Sequence, residues 1–352
     1  MINILVTAAG SGIGQAVIKA LGMSGLGVRI TAVDISPWAK DLYNADAAYL
    51  VPCQDDERYI DALLDICKKE KIELIIPGLD PELLTLSENS RSFSGYGIKV
   101  MTGRPESVKL CRNKLATWQF FEKLNLPFVE TKLLSRDMDP DDIPYPAVVK
   151  PIDGSGSAGV DIMFSKDEMF SFIENLEQTY IAQRYLMSEN RQINRRDIMY
   201  KNFPKQIDEV SVQFLTSSDG GIISCFMSIN ELKQGVPMRI RPFWRDDIYL
   251  AAKAMVNALI EAGHFGPVNL ECKITQEGPV FYEINPRFTG LSAVRAMLGF
   301  NECKAMVDHM ICGTDLESIR KYLDIDYMSV CSRFISESII GIDEFEELSK
   351  TV

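Results

Sequence analysis

The sequence predicts an α/β protein in which a parallel-sheet lobe at the N-terminus precedes a mixed α+β unit built from antiparallel hairpins. Three observations carry this. At 352 residues the chain exceeds one ordinary domain, so two or three lobes are expected. The first hundred residues alternate short apolar runs with helical periodicity, the pattern of βαβ units. From residue 147 onward, strand-like runs instead succeed one another across glycine-rich turns. With 46% hydrophobic and 24% charged residues the chain sits well inside the globular range.

Ile2–Thr7 reads as a strand, Gly14–Leu21 as a helix, Val28–Asp34 as a strand, Tyr59–Lys69 as a helix and Leu74–Pro77 as a strand. Between the first strand and helix lies Ala8-Ala9-Gly10-Ser11-Gly12-Ile13-Gly14. Its glycines permit a tight turn with backbone N–H groups near a helix N-terminus, and Asp34 ends the second strand where a Rossmann domain keeps its ribose-binding acid. The lobe is therefore Rossmann-like. Each dinucleotide fingerprint nevertheless misses one glycine: Gln15 stands at the last position of one and Ala8 at the second of the other. We expect a loop that packs on a neighbour or holds a substrate.

A second unit opens at Asn113, able to cap a helix that runs to Leu124 with Leu115, Trp118, Phe121 and Leu124 on one face, before Pro127. A Pro- and Asp-rich connection, Arg136–Pro146, leads into the strand Ala147–Pro151 with Lys150 near its end. Gly154-Ser155-Gly156-Ser157-Ala158-Gly159 comes next, then a strand, Val160–Phe164, and a helix capped at Ser165 with Glu168 in a capping-box pattern. Strand, glycine loop and strand form a hairpin with a flexible lid. Tyr180–Leu186 is again strand-like. The polar insert Met187–Asp208, with Arg191, Arg195, Arg196, Lys201 and Lys205, reads as a mobile loop.

Strands are expected at Glu209–Leu215, Gly221–Ile229 and Met238–Pro242, and a helix at Asp246–Ala262. A hairpin, Val268–Ile274 and Pro279–Asn285, comes next, then a helix near Ala293–Cys312 and a strand over Met328–Ile335. If Gln276-Glu277-Gly278 is the connection of the hairpin, Thr275 opposes Pro279 and Glu271 opposes Glu283. Asn285 and Arg287 then share a face with Glu283, because strand side chains alternate. Two carboxylates and an amide oxygen facing one side repel unless a hard cation lies between them, which suits Mg²⁺ bridging phosphate oxygens. Lys150 at a strand end can meet phosphate as a point charge, and Gly154, Gly156 and Gly159 can turn their N–H groups toward it. Phosphates are held by one part and their metal by another.

At these residues the chain resembles the ATP-grasp superfamily, most closely the carbamoyl phosphate synthetase large-subunit-like branch of carboxylate–amine ligases. "NKLATWQFFEKLNLP" (113–127), "PAVVKPIDGSGSAGV" (146–160), "IAQRYL" (181–186), "EVSVQFL" (209–215) and "NLECKI…VFYEINPRFTG" (269–290) carry the likeness. It implies a pre-ATP-grasp domain over 1–112, a small lobe with the phosphate loop over 113–186, and a large lobe with the metal hairpin over 187–352, together a two-lobed ATP-grasp fold. It also implies ATP and Mg²⁺. Lys114, Lys150, Gly154, Ser155, Gly156 and Ser157 would meet the phosphates. Gln183, Arg184 and Leu186 would meet adenine and Glu209 the ribose. Glu271, Glu283 and Asn285 would hold metal, and Arg287 with Lys150 would stabilise the reacting carboxyl-phosphate. Gln183 replaces the glutamate usual at the start of the hinge, and the 187–208 insert is longer than the usual turn. A single module fits in 352 residues, so synthesis of carbamoyl phosphate itself is not expected.

The activity so implied is ATP-dependent activation of a carboxylate as an acyl-phosphate for attack by an amine. Two other readings stand beside it: an NAD(P)-dependent oxidoreductase using Gly10, Gly12, Gly14 and Asp34, and a nucleotide-binding module without catalysis. The expected partners are small-molecule carboxylates and amines, with homodimerisation left open. Arg239 and Arg241, two apart on a strand, are candidates to hold the acceptor carboxylate. A net charge of −12 and a pI near 4.9 exclude a nucleic-acid or anionic-membrane field. Two histidines leave little material for His-based triads or metal sites, and eight scattered cysteines read as buried free thiols, without zinc spacing. The first residues lack a signal-peptide pattern and no membrane span is apparent, so the expected compartment is the cytoplasm.

Overall fold

The computed structural model describes residues 1–154, 156–187, 199–200, 203–204, 206–334 and 338–350. Ser155, Arg191, Arg195, Arg196, Lys201 and Lys205 lie outside the described residues. The chain opens with β1 (Ile2–Val6), α1 (Gly12–Gly22), β2 (Val28–Asp34), β3 (Ala47–Leu50), α2 (Tyr59–Glu70), β4 (Leu74–Ile76), α3 (Asp80–Glu88), α4 (Ser90–Ser94) and β5 (Lys99–Val100). These strands form a parallel sheet in the order β3-β2-β1-β4-β5. Alternation along β1 sends Leu5 to one face, with Val33, Leu63 and Phe93, and Ile4 and Val6 to the other. The second face does not stop at the lobe: its cluster runs on through Val17 and Leu21 to Phe226, Phe288, Leu291 and Phe300. That shared core fixes the N-terminal lobe against the C-terminal half of the chain.

Helices α5 (Pro105–Arg112) and α6 (Lys114–Lys123) lead to the next lobe, and Asn113 caps α6 by accepting from the Ala116 N–H. Strands β6 (Thr131–Leu133), β7 (Ala147–Pro151), β8 (Asp161–Met163) and β9 (Tyr180–Arg184) form an antiparallel sheet in the order β6-β9-β7-β8. Helix α7 (Lys166–Glu174) covers it, its cap Ser165 accepting from Glu168 while Glu168 accepts from Phe164. Two short strands, β10 (Met199–Tyr200) and β11 (Phe203–Pro204), pair with each other.

The large sheet runs β16-β15-β12-β13-β14-β17 and comprises β12 (Gln206–Thr216), β13 (Ile222–Lys233), β14 (Val236–Pro242), β15 (Gly266–Thr275), β16 (Gly278–Asn285) and β17 (Cys331–Ser332). One face is sealed by the helix Asp246–Glu261, whose Ile248, Ala252, Met255, Val256 and Leu259 keep helical spacing. At about 1.5–3 kcal/mol for each large apolar side chain removed from water, this stripe anchors the sheet. The other face is left for chemistry.

Three expectations are corrected. The helix near 293–312 is broken into Ser292–Met297 and Glu302–Val307 with a π-turn, Asp308–Cys312. Gly299 makes the break: its φ is +86° and a Cβ there would stand 1.8 Å from the Asp324 carbonyl. Of the strand expected at 328–335, Cys331–Ser332 is strand among the described residues, and Ile335 lies outside them. The cysteines are free, but Cys53 and Cys312 are exposed and Cys331 is half-buried. Among the described residues no helix is long and apolar enough to cross a membrane.

Candidate functional site

The open face of the large sheet, the small sheet and the N-terminal lobe enclose a cleft of about 410 Å³, within the range of small-molecule sites. Register decides what faces it. On β12 the alternate residues Glu209 and Ser211 point in; on β13 it is Asn230, and on β15 Asn269, Glu271 and Lys273.

The β15–β16 hairpin forms differently from its expected geometry. Its connection is the two residues Gln276-Glu277, because Gly278, at φ +102°, pairs with Thr275. Continued unchanged, that register would set Glu271 opposite Tyr282. A bulge between Glu271 and Cys272 on the ladder absorbs Tyr282 and restores Glu271 opposite Glu283 and Asn269 opposite Asn285. Glu271, Glu283, Asn285 and Arg287 all line the cleft. Tyr282, on the bulge, donates its hydroxyl to Glu209 at 2.6 Å and to Glu271 at 3.3 Å.

Burial, then the neighbouring Glu283 and Glu209, push the Glu271 carboxyl well above the ordinary carboxylate range. This is the condition a divalent cation would relieve. Asn285 donates to Glu271 and its amide oxygen accepts from Arg287 at 3.1 Å. Among the described residues no group of three or more His, Cys, Asp or Glu is placed to hold a metal. Two carboxylates and an amide oxygen thus fit Mg²⁺ only with further oxygens from a bound phosphate, which is the ordinary manner of Mg²⁺ in nucleotide sites.

Cations stand across the cleft. Lys150, 5% exposed, donates to the Tyr282 carbonyl at 3.2 Å and lies 3.8 Å from Glu283. Burial pushes its ammonium down to about 8, opposed by Glu283 and assisted by Lys114. Lys114, at the start of α6, donates to the Gly154 carbonyl at 2.6 Å. Gly154, Gly156 and Ser157 line the cleft, and Gly156, Ser157 and Gly159 have left-handed φ values of 64°, 59° and 71°. Gln183 is buried with its amide donating to Thr131. It lines the cleft with Arg184, Leu186, Val148 and Ile162. The Arg184 side chain turns to Glu277 on the β15–β16 hairpin, tying the two sheets together. Glu209 lines the cleft as well, with one oxygen on Tyr282 and the other 2.7 Å from Lys273.

Arg239 and Arg241 do not reach this space. Arg239 stands opposite Glu231 and Arg241 opposite Ile229, whereas the cleft-facing Asn230 pairs with the buried Ile240. Both arginines are exposed on the other face, and Arg239 pairs with Glu231 at 2.9 Å. The glycine loop of the first lobe packs tightly on its neighbours. The Gly10 N–H donates to Asp34 at 2.8 Å, Asp34 also accepts from Ser36, and a Cβ on Gly10 would stand 2.8 Å from that of Ala39. With Asp34 so engaged and the loop this tight, the dinucleotide reading is not favoured. Ser11, Gly12 and Ile13 face the ATP-grasp-like cleft instead, with Gly290 closely opposed to Gly12.

Several residues in or beneath the cleft escape sequence reasoning. Asp80, at the start of α3, clasps Arg287 with both carboxylate oxygens. Arg295 and Glu302 form a fully buried pair that also reaches Ser211 and Asn269. Arg333 lines the cleft from the edge of the sheet. Lys273 was within reach, since it alternates with Glu271 on one strand.

Comparison with known proteins places this geometry. The family model described as the ATP-grasp domain matches residues 111–291, just over half of the chain. A model for the PylC-like N-terminal domain matches residues 4–101. A carbamoyl-phosphate synthase from Methanobrevibacter smithii is 21% identical over 137 residues, 38% of this chain and 36% of that protein, so the chain spans about a third of its curated relative. Among solved structures, N5-carboxyaminoimidazole synthetase from Staphylococcus aureus complexed with ADP has a TM-score of 0.64 at 17% identity, covering 86% of this chain and 75% of that one. An L-amino acid ligase from Bacillus licheniformis has a TM-score of 0.64 at 14% identity, covering 88% and 74%. The biotin carboxylase domain of 2-oxoglutarate carboxylase from Hydrogenobacter thermophilus has 0.62 at 15%, covering 93% and 70%. At these identities the structures speak for the fold.

Proposed function

Since the chain belongs to the ATP-grasp family, we propose that it is an ATP-dependent ligase that activates a small-molecule carboxylate as an acyl-phosphate and passes the acyl group to an amine. The observation that carries the reading is the convergence, in one cleft, of Lys114, Lys150 and the glycine loop on one wall with Glu271, Glu283, Asn285 and Arg287 on the other. A module that only bound nucleotide would have no use for a second guanidinium-bearing wall beyond the phosphates.

In this reading residues 113–186 and 187–352 are the two jaws on the nucleotide, and residues 1–112 close the acceptor end through Ser11–Ile13 and Asp80. Adenine lies in the slot of Val148, Ile162 and Leu186, with Gln183 and the Arg184–Leu186 backbone along its edge and Glu209 toward the ribose. Lys114, Lys150 and the loop amides of Gly154, Gly156 and Ser157 direct positive charge at the phosphates. Glu271, Glu283 and Asn285 are the residues that would hold Mg²⁺, which supplies charge neutralisation on phosphate oxygens when bound. Arg287, held charged by Asp80 although burial alone would lower its pKa, faces the position where charge builds on the transferred phosphoryl group. A carboxylate oxygen of the substrate attacks the γ-phosphorus and ADP departs; the amine then attacks the acyl carbon and phosphate departs. The protein's part is positioning and electrostatics.

The test is phosphate release from ATP and Mg²⁺ over pools of carboxylic acids, amino acids and amines. Release that requires one carboxylate and one amine together supports the reading. Release that is indifferent to both overturns it.

A further inference from the structure

Among the described residues three guanidinium groups line the cleft, and their partners differ. Arg184 is paired with Glu277 and Arg287 with Asp80. Among the described residues the Arg333 guanidinium has only a backbone partner, the Pro237 carbonyl at 3.2 Å. In a chain of net charge −12, a half-buried arginine that faces a cleft with no carboxylate partner among the described residues needs a cause. Burial lowers its pKa, so the folded protein bears a cost in keeping it charged there.

The group is also firmly placed. Its strand β17 pairs with β14, Ser332 opposite Arg239, and the Arg333 N–H donates to the Met238 carbonyl at 2.8 Å. The same wall carries Leu232, Val236 and Pro237. Sheet order fixes how far this lies from the metal carboxylates: β15 and β17 are separated by β12, β13 and β14, four spacings or roughly 19 Å of backbone. Arg333 thus stands at the far end of the sheet from those carboxylates. Between them the floor is polar: Ser211 faces the cleft, and so does Asn230, 3% exposed, whose Oδ1 has no hydrogen-bond partner among the described residues. A buried acceptor without a donor costs free energy until a ligand N–H or O–H meets it.

We propose that Arg333 is a specificity-determining residue that holds a second, remote anionic group of the non-nucleotide substrate, a carboxylate or a phosphate ester, while Asn230 accepts from a donor group on the same molecule. The substrate is thus an extended, polar compound with charge at the end away from the reacting carboxylate. This rests on the ligase reading above. It places recognition on a strand beyond the matched ATP-grasp segment, which ends at residue 291.

The experiment is calorimetric binding to the full chain saturated with MgADP. The probes are dicarboxylates of four to seven carbons, phosphate esters of hydroxy acids, and neutral monocarboxylates of matched length. The expected result is that compounds with a second anionic group bind, matched neutral ones bind at least tenfold more weakly, Arg333→Gln abolishes that difference, and Arg333→Lys retains part of it. The dicarboxylate and phosphate-ester arms decide which anion is taken. MgADP affinity should stay within twofold in both variants, which also reports that they fold. Equal binding of charged and neutral probes to the wild-type chain, or preference for the second anion surviving in Arg333→Gln, overturns the proposal. So does a loss of MgADP affinity in Arg333→Gln as large as the loss of anion affinity in a folded protein, since the residue would then serve the nucleotide. Phosphate release by the wild-type chain judges the ligase reading independently.

Discussion

Asp80 and Arg287 lie 207 residues apart and meet as a buried, two-pronged pair, Oδ1 to Nε at 2.7 Å and Oδ2 to NH2 at 2.5 Å. The carboxylate comes from the parallel-sheet lobe and the guanidinium from the loop after the β15–β16 hairpin. The first lobe is thereby part of the cleft. Because guanidinium and carboxylate planes match, the pair fixes the direction as well as the place of Arg287.

Asp80→Asn should therefore remove the charge that offsets the burial of Arg287 and leave its guanidinium loosely held. We expect kcat to fall roughly tenfold or more with the KM for ATP nearly unchanged, since the lost element is orientation toward the reacting group. Breaking one side of a buried pair also costs about 3–5 kcal/mol, so the midpoint of urea unfolding should drop clearly. A variant with wild-type kcat would show that Arg287 is positioned by other means.

Glu283→Gln combined with Asn285→Ala should remove Mg²⁺-dependent turnover while far-UV circular dichroism stays native. Both side chains sit on the open face of the sheet, so little packing is lost, whereas a hard cation needs their charge and oxygen. Undiminished turnover in the double variant places the metal elsewhere.

The hairpin also shows what sequence can and cannot reveal. Strand alternation alone brings Glu271, Glu283 and Asn285 to one face, and the pairing holds even though the expected three-residue connection is really two, because the bulge at Tyr282 makes up the difference. The same parity argument fails for Arg239 and Arg241. It ties the two to one face, as observed, but which face that is depends on their pairing with β13, including an irregularity after Glu231, and no local pattern encodes it. The broken helix at Gly299 depends on close approach to Asp324 and is likewise invisible to periodicity. Asp80 and Arg333 join the cleft only through the packing of distant segments, so neither leaves a sign in the local pattern.

Two buried ionisable groups should give opposite pH dependences of stability. Burial lowers His264 from 6.5 to about 4, so the unfolded chain takes up a proton that the folded one refuses, and stability falls as pH drops from 6.5 toward 4. Burial raises Glu82 from 4.5 to about 7, opposed by hydrogen bonds from Thr7 and Tyr59, so its contribution is complete below pH 4.5 and lost as pH rises through 7. Relative to wild type, His264→Phe should gain stability as the medium is acidified and Glu82→Gln as it is made neutral. Each change is at most about 3 kcal/mol across its window. Urea unfolding at pH 4.5, 5.5, 6.5 and 7.5 checks this, and two variants whose difference from wild type does not vary with pH would refute it.

The glycine loop beside the cleft is tied down by one side chain, and on the proposed reading this loop is a lid. Gln206 donates through Nε2 to Ser157 Oγ at 3.1 Å and accepts at Oε1 from the Gly235 N–H at 2.7 Å, so a single amide joins the glycine loop to the β13–β14 turn. Gly235 is pressed against the loop, where a Cβ would stand 2.9 Å from the Gly156 carbonyl oxygen. Two hydrogen bonds of about 0.5–1.5 kcal/mol each hold the closed form against the backbone entropy of the glycines, a bias of roughly fivefold to over a hundredfold. Gln206→Ala should then raise protease cleavage within residues 154–159 in the absence of nucleotide. A non-hydrolysable MgATP analogue should restore protection, because phosphate contacts from the loop amides replace the latch. The KM for ATP should rise several-fold while kcat stays near wild type, since the variant must close the lid at the expense of binding energy and is unaltered once closed. Cleavage rates equal to wild type without nucleotide would mean that the loop is held by its own backbone, with the Gln206 amide merely filling the gap beside it.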